Sequence, residues 1–306
     1  MKQAYLITAY KDFDQLYELA KFFSRTAYVL IHVDVKSRSI KDADIARLNS
    51  LDGCEAFSSQ SIRWGSFHHV EAITELMMRA LMKEDVGYIH LLTGEDFPLF
   101  SAEELDERFL GDDHIYMSYI PPEELPREVR VRYRYKNIMA NQNLKNKALW
   151  QIQNLAGKLQ EKRGWVRDSI GPFPETAVYK GLVYISMPRE AAAYVIRFIA
   201  REGASFWEDL KSCQVPEEFF FQTIFMNHDG WKEKIVNKEL RYMDWSRGDG
   251  SSPAYLVKED LENILKARGE GCCFARKFHP RQSKELRAEL RNLIGIKQLH
   301  KTRYLW

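Results

Sequence analysis

The first 120 residues alternate between short apolar runs and longer stretches in which apolar residues recur at helical spacing. The apolar runs predict strands at 4–9, 27–33, 53–57, 88–92 and 114–120. The intervening periodic stretches predict helices at 14–23, 41–51 and 67–83, and Ser101 with Glu104 forms a capping-box pattern that opens another helix. Strands that alternate with helices pair in parallel, and the helices cover both faces of the sheet. The pattern therefore predicts an α/β fold with a mostly parallel central sheet.

The segment 121–170 breaks this alternation. Prolines at its start are followed by arginines interleaved with tyrosines over 127–135, and then by a basic helical stretch rich in Gln, Asn and Lys that runs to about Arg163. Two interpretations stay open, a solvated insertion or a segment that meets phosphate or sugar.

Alternation returns at 178, with a strand expected at 178–187 and a helix at 190–201. A further helix is predicted to begin at Pro216, and a Gly/Ser-rich loop is expected at 245–253. The later predicted elements are a helix at 258–267, a mixed run at 272–278 and a helix at 285–294, which Gly295 ends.

Length and composition predict a single domain with an ordinary core. The 306 residues are 45% hydrophobic and 29% charged, which is typical of globular proteins. We divide the domain into a nucleotide-binding half at 1–120, a basic insertion at 121–170, an acceptor and catalytic half at 171–280, and a C-terminal helix and tail at 281–306. The net charge of +2 argues against a nucleic-acid binder, although the Arg/Tyr run motivates that alternative.

The cysteines and both ends of the sequence predict a cytoplasmic protein. Cys54, Cys213, Cys272 and Cys273 have no metal-binding spacing and suggest reduced thiols. The apolar run near the N-terminus is too short for a signal peptide or a membrane span. The basic, aromatic end at 297–306 is expected to be an exposed tail, or alternatively a peripheral contact with an anionic membrane that carries a lipid-linked acceptor.

Nucleotide-binding motifs of the common kinds are missing. No GxGxxG follows the first strand, and there is no P-loop. The one DxD sequence, Asp42-Ala43-Asp44, lies where a helix is predicted to start, and acidic residues are usual there. We therefore expect no metal site and no cofactor.

Five ordered segments resemble a known family. They are His32-Val33-Asp34-Val35-Lys36-Ser37, Trp64-Gly65, the run from His90 to Leu99, Val215-Pro216-Glu217-Glu218 and Phe274-Ala275-Arg276-Lys277-Phe278. The sequence resembles the core-2/I-branching β-1,6-N-acetylglucosaminyltransferases (glycosyltransferase family 14, which also includes protein xylosyltransferases), in a bacterial-type form. The resemblance implies a GT-A fold, a UDP-sugar donor, transfer with inversion, and no required metal.

The same resemblance implies catalytic roles for three residues. Glu218 is the expected general base, and its position in the first turn of a helix favours the ionised form. Arg276 and Lys277 are expected to meet the negative charge of the departing UDP. The alternatives are an acid that merely decorates a helix start and two surface cations between core aromatics. Arg247 is a further candidate cation, but it does not align cleanly with the family.

The remaining candidates are expected to bind the two sugars. Asp34, Trp64, Gly65, Glu95 and Asp96 are assigned to the donor, with strand-end turns as the alternative for both aspartates. Tyr242 and Trp245 are assigned to the acceptor by stacking, with core packing as the alternative.

The sequence departs from the family in one motif that bears on the sugar. Relatives often carry Gly-Ser-x-Trp where this chain has Gly181-Leu182-Val183-Tyr184, which leaves UDP-xylose open beside the favoured UDP-GlcNAc. The missing disulfide cysteines and membrane anchor of the secreted animal enzymes fit a cytoplasmic enzyme that builds polysaccharide or lipid-linked glycan. A metal-dependent GT-A transferase and a non-catalytic glycan- or UDP-binding protein also stay open as interpretations of the sequence.

Overall fold

A computed structural model describes residues 1–137, 140, 147–248, 250 and 252–295. Its strands are β1 (Lys2–Ala9), β2 (Tyr28–Val33), β3 (Cys54–Phe57), β4 (Val86–Thr93), β5 (Asp96–Pro98), β6 (Ile115–Met117), β7 (Ser169–Ile170), β8 (Phe173–Pro174), β9 (Ile185–Pro188), β10 (Ile235–Asn237), β11 (Arg241–Met243) and β12 (Phe274–Arg276). The basic tail at 297–306 lies outside the described residues, as does part of the insertion.

The α-helices are α1 (Phe13–Phe23), α2 (Asp42–Asn49), α3 (His68–Leu81), α4 (Ala102–Arg108), α5 (Arg127–Arg134), α6 (Lys147–Lys162), α7 (Arg189–Arg201), α8 (Ala204–Leu210), α9 (Glu217–Met226), α10 (Asp229–Lys232), α11 (Leu261–Gly269) and α12 (Lys284–Leu293). Short 3₁₀ turns occur at Pro122–Glu124, Glu175–Ala177 and Lys258–Asp260. Within the described ranges, none of these helices is both long and apolar enough to cross a membrane.

Seven strands form the central sheet in the order β10-β6-β9-β4-β1-β2-β3. Six of them run parallel to one another, and β9 runs antiparallel to both of its neighbours. The predicted α/β class with a mostly parallel sheet is confirmed. Because β9 is reversed, its first residue lies at the edge of the sheet where the parallel strands end.

Helices cover both faces of this sheet, as predicted. Successive residues of β1 point to opposite sides, and Ala4 and Leu6 join one core cluster while Tyr5 and Ile7 join the other. The first cluster contains the buried faces of α3, α7 and α9, and the second contains those of α1, α4 and α12. The protein is therefore a three-layer structure with the sheet in the middle.

Several predicted elements are found with small changes at their ends. The helix predicted at 67–83 is α3, and the capping box is present because the Ser101 hydroxyl accepts from the Glu104 N–H at 3.1 Å while the Glu104 carboxylate accepts from the Ser101 N–H at 2.7 Å. The helix α12 ends at Leu293, and Gly295 follows with φ of +71°.

The strand predicted at 178–187 is wrong in length. Only Ile185–Pro188 form a strand, and it is antiparallel. The preceding residues bond elsewhere, since the Gly181 N–H donates to the Glu218 carbonyl at 2.8 Å and the Leu182 N–H donates to the Ser118 hydroxyl at 3.2 Å. Those bonds hold an apolar run against α9 instead of in the sheet.

A second sheet of three strands, in the order β11-β12-β5, lies beside the first. Its strand β12 runs antiparallel to β5, with Arg276 opposite Asp96 and Ala275 opposite Phe97. This register places the two charged motifs of the sequence analysis side by side.

Candidate active site

A cleft of about 590 Å³ opens where β1 and β2 end. Parallel strands end at one edge of a sheet, and backbone bonds from Asp34 N–H to the Ala9 carbonyl (2.9 Å) and from Gly94 N–H to the Thr8 carbonyl (3.1 Å) bring three strand ends together. We call this the edge cleft; it is lined by Tyr10, Lys11, Asp34, Lys36, Ser37, Arg38, Ser39, Ile62, Arg63 and Trp64. Open α/β sheets bind ligands at this edge.

The lining of the edge cleft is strongly positive. Four of its side chains are Lys or Arg and one is a carboxylate. The indole of Trp64 is 63% exposed and offers an apolar face beside those charges. Such a lining fits an anion that also carries a flat ring. The sequence analysis identified Asp34 and Trp64 here but assigned no role to the cations.

Asp34 forms the strand-end turn that the sequence offered as the alternative to donor binding. Its carboxylate accepts from the Lys36 N–H at 2.8 Å, which forms a turn after β2, and it also lines the cleft. The neighbouring motif residue His32 is buried and accepts from the Gln60 N–H at 3.0 Å. Burial lowers the pKa of His32 to about 4, so it is a neutral acceptor that fixes the loop after β3.

A buried carboxylate connects the edge cleft to a second set of cations. Glu95 lies 2.9 Å from the Lys11 ammonium and 3.7 Å from the Arg276 guanidinium, and the Tyr255 hydroxyl lies 3.4 Å away. Burial opposes the charge on Lys11, but Glu95 and Tyr255 outweigh it and raise the pKa of Lys11. Lys11 is therefore a permanent cation in the cleft wall.

Arg276 is largely buried and held from several directions. Its guanidinium lies 3.6 Å from Asp96, donates to the Thr93 hydroxyl, and lies 5.1 Å from the centroid of the Tyr184 ring. Asp96 itself is fully buried, at 2.7 Å from Arg241, and also accepts from the Thr93 N–H at 2.6 Å. Asp96 thus fixes the position of Arg276, and its own oxygens are enclosed by protein.

Lys277 and Arg247 lie along one loop. The Lys277 ammonium donates to the Ser252 hydroxyl at 2.6 Å and lies 4.4 Å from the centroid of the Tyr255 ring. Arg247 is half-exposed and pairs with Asp244 and Asp260, each at 2.5 Å. The loop from 244 to 257 is bonded to Lys277, whose carbonyl accepts from the Leu256 N–H at 2.9 Å. Arg247 is therefore held by two carboxylates, with about half of its side chain exposed to solvent.

Glu218 lies in the first turn of α9, as predicted, between two cations. Its carboxylate is 2.9 Å from Arg132 and 3.3 Å from Lys180. Burial raises the pKa of Glu218 and the two cations oppose it, with a net shift upward. Burial therefore outweighs the preference for the ionised form that the helix terminus supplies. A carboxylate with a raised pKa accepts a proton more readily than a solvated one.

The neighbouring acid, Glu217, is in a different environment. Its side chain is buried and one oxygen lies 3.4 Å from a ring nitrogen of His69. Its other oxygen has no hydrogen-bond partner among the described residues. Of the two acids, Glu218 is the more accessible to solvent, with 20% of its side chain exposed.

Two series of contacts connect Glu218 to the rest of the site. The Gly65 carbonyl, beside Trp64 of the cleft wall, accepts from the Val215 N–H at 3.0 Å, three residues before Glu218. Gly65 has φ of +70°, and a Cβ there would come within 3.1 Å of the Val215 side chain, so this approach favours glycine. On the other side, the segment 181–184 bonds the Glu218 backbone through Gly181 and contacts Arg276 through Tyr184.

The two predicted acceptor residues lie outside the lining of the edge cleft. Tyr242 is half-buried in β11, opposite Ala275, and Trp245 is 44% exposed two residues after that strand. Both belong to the same small sheet and loop as Arg276 and Lys277.

Four residues that sequence reasoning missed are Lys11, Tyr255, Arg132 and Lys180. Arg132 belongs to the Arg/Tyr run, but the sequence does not connect that run to Glu218. Lys11 follows β1, where open α/β sheets bind ligands, so its position was a usable signal. Lys180 directly precedes the Gly181-Leu182-Val183-Tyr184 segment, but neither Lys180 nor Tyr255 belongs to a motif with an assigned role, and only the tertiary structure connects them to the site.

Groups that could hold a metal ion are limited. Within the described part of the chain, one cluster of three such side chains is close enough, Asp112, Asp113 and His114. It is exposed and precedes β6, at the edge of the sheet opposite the cleft. Asp44 of the DxD sequence accepts from the Lys41 N–H at 3.0 Å at the start of α2, which confirms the predicted helix start.

Comparison with known proteins identifies one family. The model of the core-2/I-branching enzyme family matches residues 3–265. No protein with a curated description matches the sequence. Among solved structures, the chain is similar to HddC from Yersinia pseudotuberculosis at 9% identity and a TM-score of 0.27, over 39% of this chain and 59% of that one. The match thus spans less than two thirds of that structure, and a similarity this low supports no argument.

Proposed function

The chain belongs to the core-2/I-branching enzyme family, which makes it a glycosyltransferase, and we propose that it transfers a sugar from a UDP-sugar to a glycan hydroxyl with inversion and without a metal. The sugar we propose first is GlcNAc. The observation that carries the proposal is the connected set of contacts that joins the positive edge cleft to Arg276 on one side and to Glu218 on the other.

The edge cleft is the proposed donor site. Its excess of cations suits a diphosphate, and the Trp64 face suits a ring. Asp34 is placed to accept from a ribose or base N–H or O–H group. Gly65 and Glu95 contribute to the same donor site. Gly65 allows the backbone to approach Val215 closely, and Glu95 connects Lys11 to Arg276. Asp96 acts on the donor indirectly, by positioning Arg276.

The proposed cations for the leaving group are Arg276 and Lys277, with Lys11 and Arg247 in support. When the sugar leaves, the bond between its anomeric carbon and the UDP oxygen breaks, and the electron pair stays on UDP. Fixed cations lower the energy of that charge without reorganisation during the reaction. Arg276 is fixed by Thr93 and two carboxylates, which is the arrangement such a role requires.

The proposed general base is Glu218. Its carboxylate takes the proton of the acceptor hydroxyl as that oxygen attacks the anomeric carbon from the side opposite UDP. Burial and the raised pKa support this role because they make the Glu218 carboxylate a stronger base than a solvated one. Arg132 and Lys180 hold the carboxylate and keep it ionised until it is used.

The proposed acceptor is a glycan or lipid-linked glycan, with Tyr242 and Trp245 as stacking residues on the loop side of the site. The proposed compartment is the cytoplasm, at the inner face of the membrane where a lipid-linked acceptor would be carried. The support for this compartment is that all four cysteines are free in the structure. Nucleic acid is not proposed as a partner.

The experiment that tests the proposal is UDP release from a panel of UDP-sugars, with and without EDTA, by wild type and Glu218→Gln. Removal of the base is expected to lower kcat by roughly 10²–10⁴-fold while binding of the donor persists. Glu190→Gln is the matched control, since Glu190 is an exposed acid in the first turn of α7.

Three further outcomes would each favour a different function. Turnover of UDP-xylose alone would change the donor. Loss of activity in EDTA would favour a metal-dependent transferase. Donor binding with no turnover by wild type in the presence of candidate acceptors would favour a non-catalytic binding protein.

A further inference from the structure

The helix α6 packs against the protein with its polar side. Gln153 is buried and donates to the Asn137 side-chain oxygen at 2.6 Å. Two turns further on, Gln160 exchanges bonds with the backbone N–H (2.9 Å) and carbonyl (3.0 Å) of Lys136. Between them Gly157 faces the Tyr135 ring, where a Cβ would come within 3.2 Å of a ring carbon. Among the residues of α6 whose burial the structure describes, Gln153 and Gly157 are buried and Gln160 is partly buried beside them.

The opposite side of α6 is apolar and exposed. Ile152, Leu155 and Leu159 are 46%, 71% and 47% exposed. Their spacing of three and four residues places them in one stripe, which we call the outer face of α6. Trp165, just after the helix, adds an indole that is 57% exposed. Single exposed apolar residues are ordinary, but an aligned stripe marks a surface that binds something.

The charges around the outer face indicate which partner it fits. Residues 147–165 contain four Lys or Arg and one acid, Glu161. The Glu161 carboxylate accepts from the Tyr135 hydroxyl, so its charge is directed toward the protein. Lys158 and Lys162 border the stripe, and the Arg163 guanidinium lies 4.8 Å from the centroid of the Trp165 ring. The apolar stripe is therefore edged by an excess of positive charge.

A basic helix with an apolar stripe and a terminal Trp matches an anionic lipid surface. Such helices lie in the plane of the interface, with apolar side chains about 5–10 Å into the lipid and Lys or Arg at the headgroups. Trp is favoured at that level. A second copy of the same face would instead bring the same lysines together, with like charges opposed across the contact.

We propose that the outer face of α6 docks on a membrane surface that contains anionic lipid. The proposal goes beyond the transfer reaction and does not depend on it, because docking is measured without donor or acceptor. Its consequence for the enzyme is that a lipid-linked acceptor would be presented from the side of the insertion, where Arg132 of the adjoining α5 reaches Glu218.

The test is co-sedimentation of the full chain with vesicles of phosphatidylcholine alone or mixed with phosphatidylglycerol. Wild type is expected to bind the anionic vesicles and to be released by salt. Leu155→Glu is expected to weaken binding at least about tenfold, because it places a charge in the stripe. The pair Lys158→Gln and Lys162→Gln is expected to weaken it by about thirtyfold, from roughly 1 kcal/mol for each cation. Leu110→Glu is the matched control, at 70% exposure on another surface.

Three results would overturn the proposal. The first is equal binding of both vesicle types or of neither. The second is loss of binding when residues 296–306 are deleted, with the α6 variants still bound, which would assign the contact to the tail. The third is a concentration-dependent dimer in sedimentation velocity that Leu155→Glu abolishes, which would assign the face to a second copy. Thermal unfolding of each variant checks that the fold is kept.

Discussion

Two regions of the molecule reverse the usual distribution of polar and apolar side chains. Around the edge cleft, charged groups are buried, as in the Asp96–Arg241 pair with side chains 0% and 2% exposed. On α6 the reverse holds, since Leu155 is 71% exposed while Gln153 is 4% exposed. Burial of charge has a large desolvation cost, and exposure of an apolar stripe forgoes stabilisation that packing would give.

The two regions differ in what compensates for the unusual placement of buried charge or exposed apolar side chains. Beside the edge cleft the Asp96 carboxylate is bound by Arg241, Arg276 and Thr93, and Arg276 Nε is the buried atom of this set that has no hydrogen-bond partner among the described residues. On α6 no such compensation exists within the described part of the chain for the outer face, and we propose that a partner supplies it. The protein itself therefore supplies partners for the buried charges, whereas the partner for the outer face of α6 is the one we propose.

The largest effect is expected where the buried charges are unbalanced. Asp96→Ala should lower the free energy of unfolding by about 3–5 kcal/mol, because it leaves the Arg241 guanidinium buried without its partner. Urea denaturation measures this. The comparison variant is Glu103→Gln, whose pair with Arg25 is half-exposed and should be worth at most about 1 kcal/mol. Equal losses in the two variants would contradict this description of the edge region.

The next effect concerns catalysis. Arg276→Gln is expected to lower kcat by roughly 10²–10³-fold, equivalent to about 2.7–4 kcal/mol, since it removes a fixed cation from the departing UDP. Initial rates of UDP release test this, with Arg25→Gln as a control on an exposed pair. A fall in unfolding stability with an unchanged kcat would limit Arg276 to a structural role.

A smaller effect is expected in the dependence of rate on pH. The pKa of Glu218 is raised above the ordinary 4.5, and a base must be deprotonated. The rate should therefore fall about tenfold per pH unit on the acid side of a midpoint that lies above 4.5. Lys180→Met removes a cation that lowers this pKa, so it should move the midpoint to higher pH. If the midpoint does not move in this variant, the group that titrates in the rate profile is not Glu218.

The smallest effects are expected for substitutions in α6. The informative result is which of two substitutions, one exposed and one buried, lowers the free energy of unfolding more. Leu155→Ala should change the free energy of unfolding by less than about 0.5 kcal/mol, because the side chain is exposed. Gln153→Ala should cost about 0.5–1.5 kcal/mol, because it removes the shorter of the two hydrogen bonds that the Asn137 side-chain oxygen accepts, the other coming from Gln214 at 3.2 Å. In an ordinary amphipathic helix the order would be reversed. Urea denaturation of the two variants without lipid decides the question.

Local sequence patterns were sufficient for much of the fold. The spacing of apolar residues located α3 within two residues at each end, and Ser101 with Glu104 located the start of α4. The strands of the central sheet in the first half followed from apolar runs that match buried parallel strands, whereas β5 of the second sheet was not predicted. The strand β9 was predicted too long because the segment before it is apolar for a different reason, contact with α9, and periodicity does not distinguish the two.

The candidate site was predictable only in part. The motifs that contain Glu218 and Arg276 were visible, but their connections depend on partners distant in sequence. Lys11 and Tyr255 are 244 residues apart and lie 3.2 Å from each other. The register that sets Arg276 opposite Asp96 depends on strand pairing between distant motifs, which local propensity does not encode. The outward orientation of the apolar stripe of α6 was equally unpredictable, since an apolar stripe on a helix normally indicates the side that faces the core.

The central claim is that protein cations, those of the edge cleft together with Arg276 beside it, replace a metal in binding the diphosphate. Isothermal titration calorimetry of UDP in the presence of EDTA tests it most directly, with wild type and Arg276→Gln compared. We predict that wild type binds UDP with the same Kd with and without EDTA, and that Arg276→Gln binds at least about tenfold more weakly. Binding that appears only when Mg²⁺ or Mn²⁺ is added, or that is unchanged in the variant, would contradict the account.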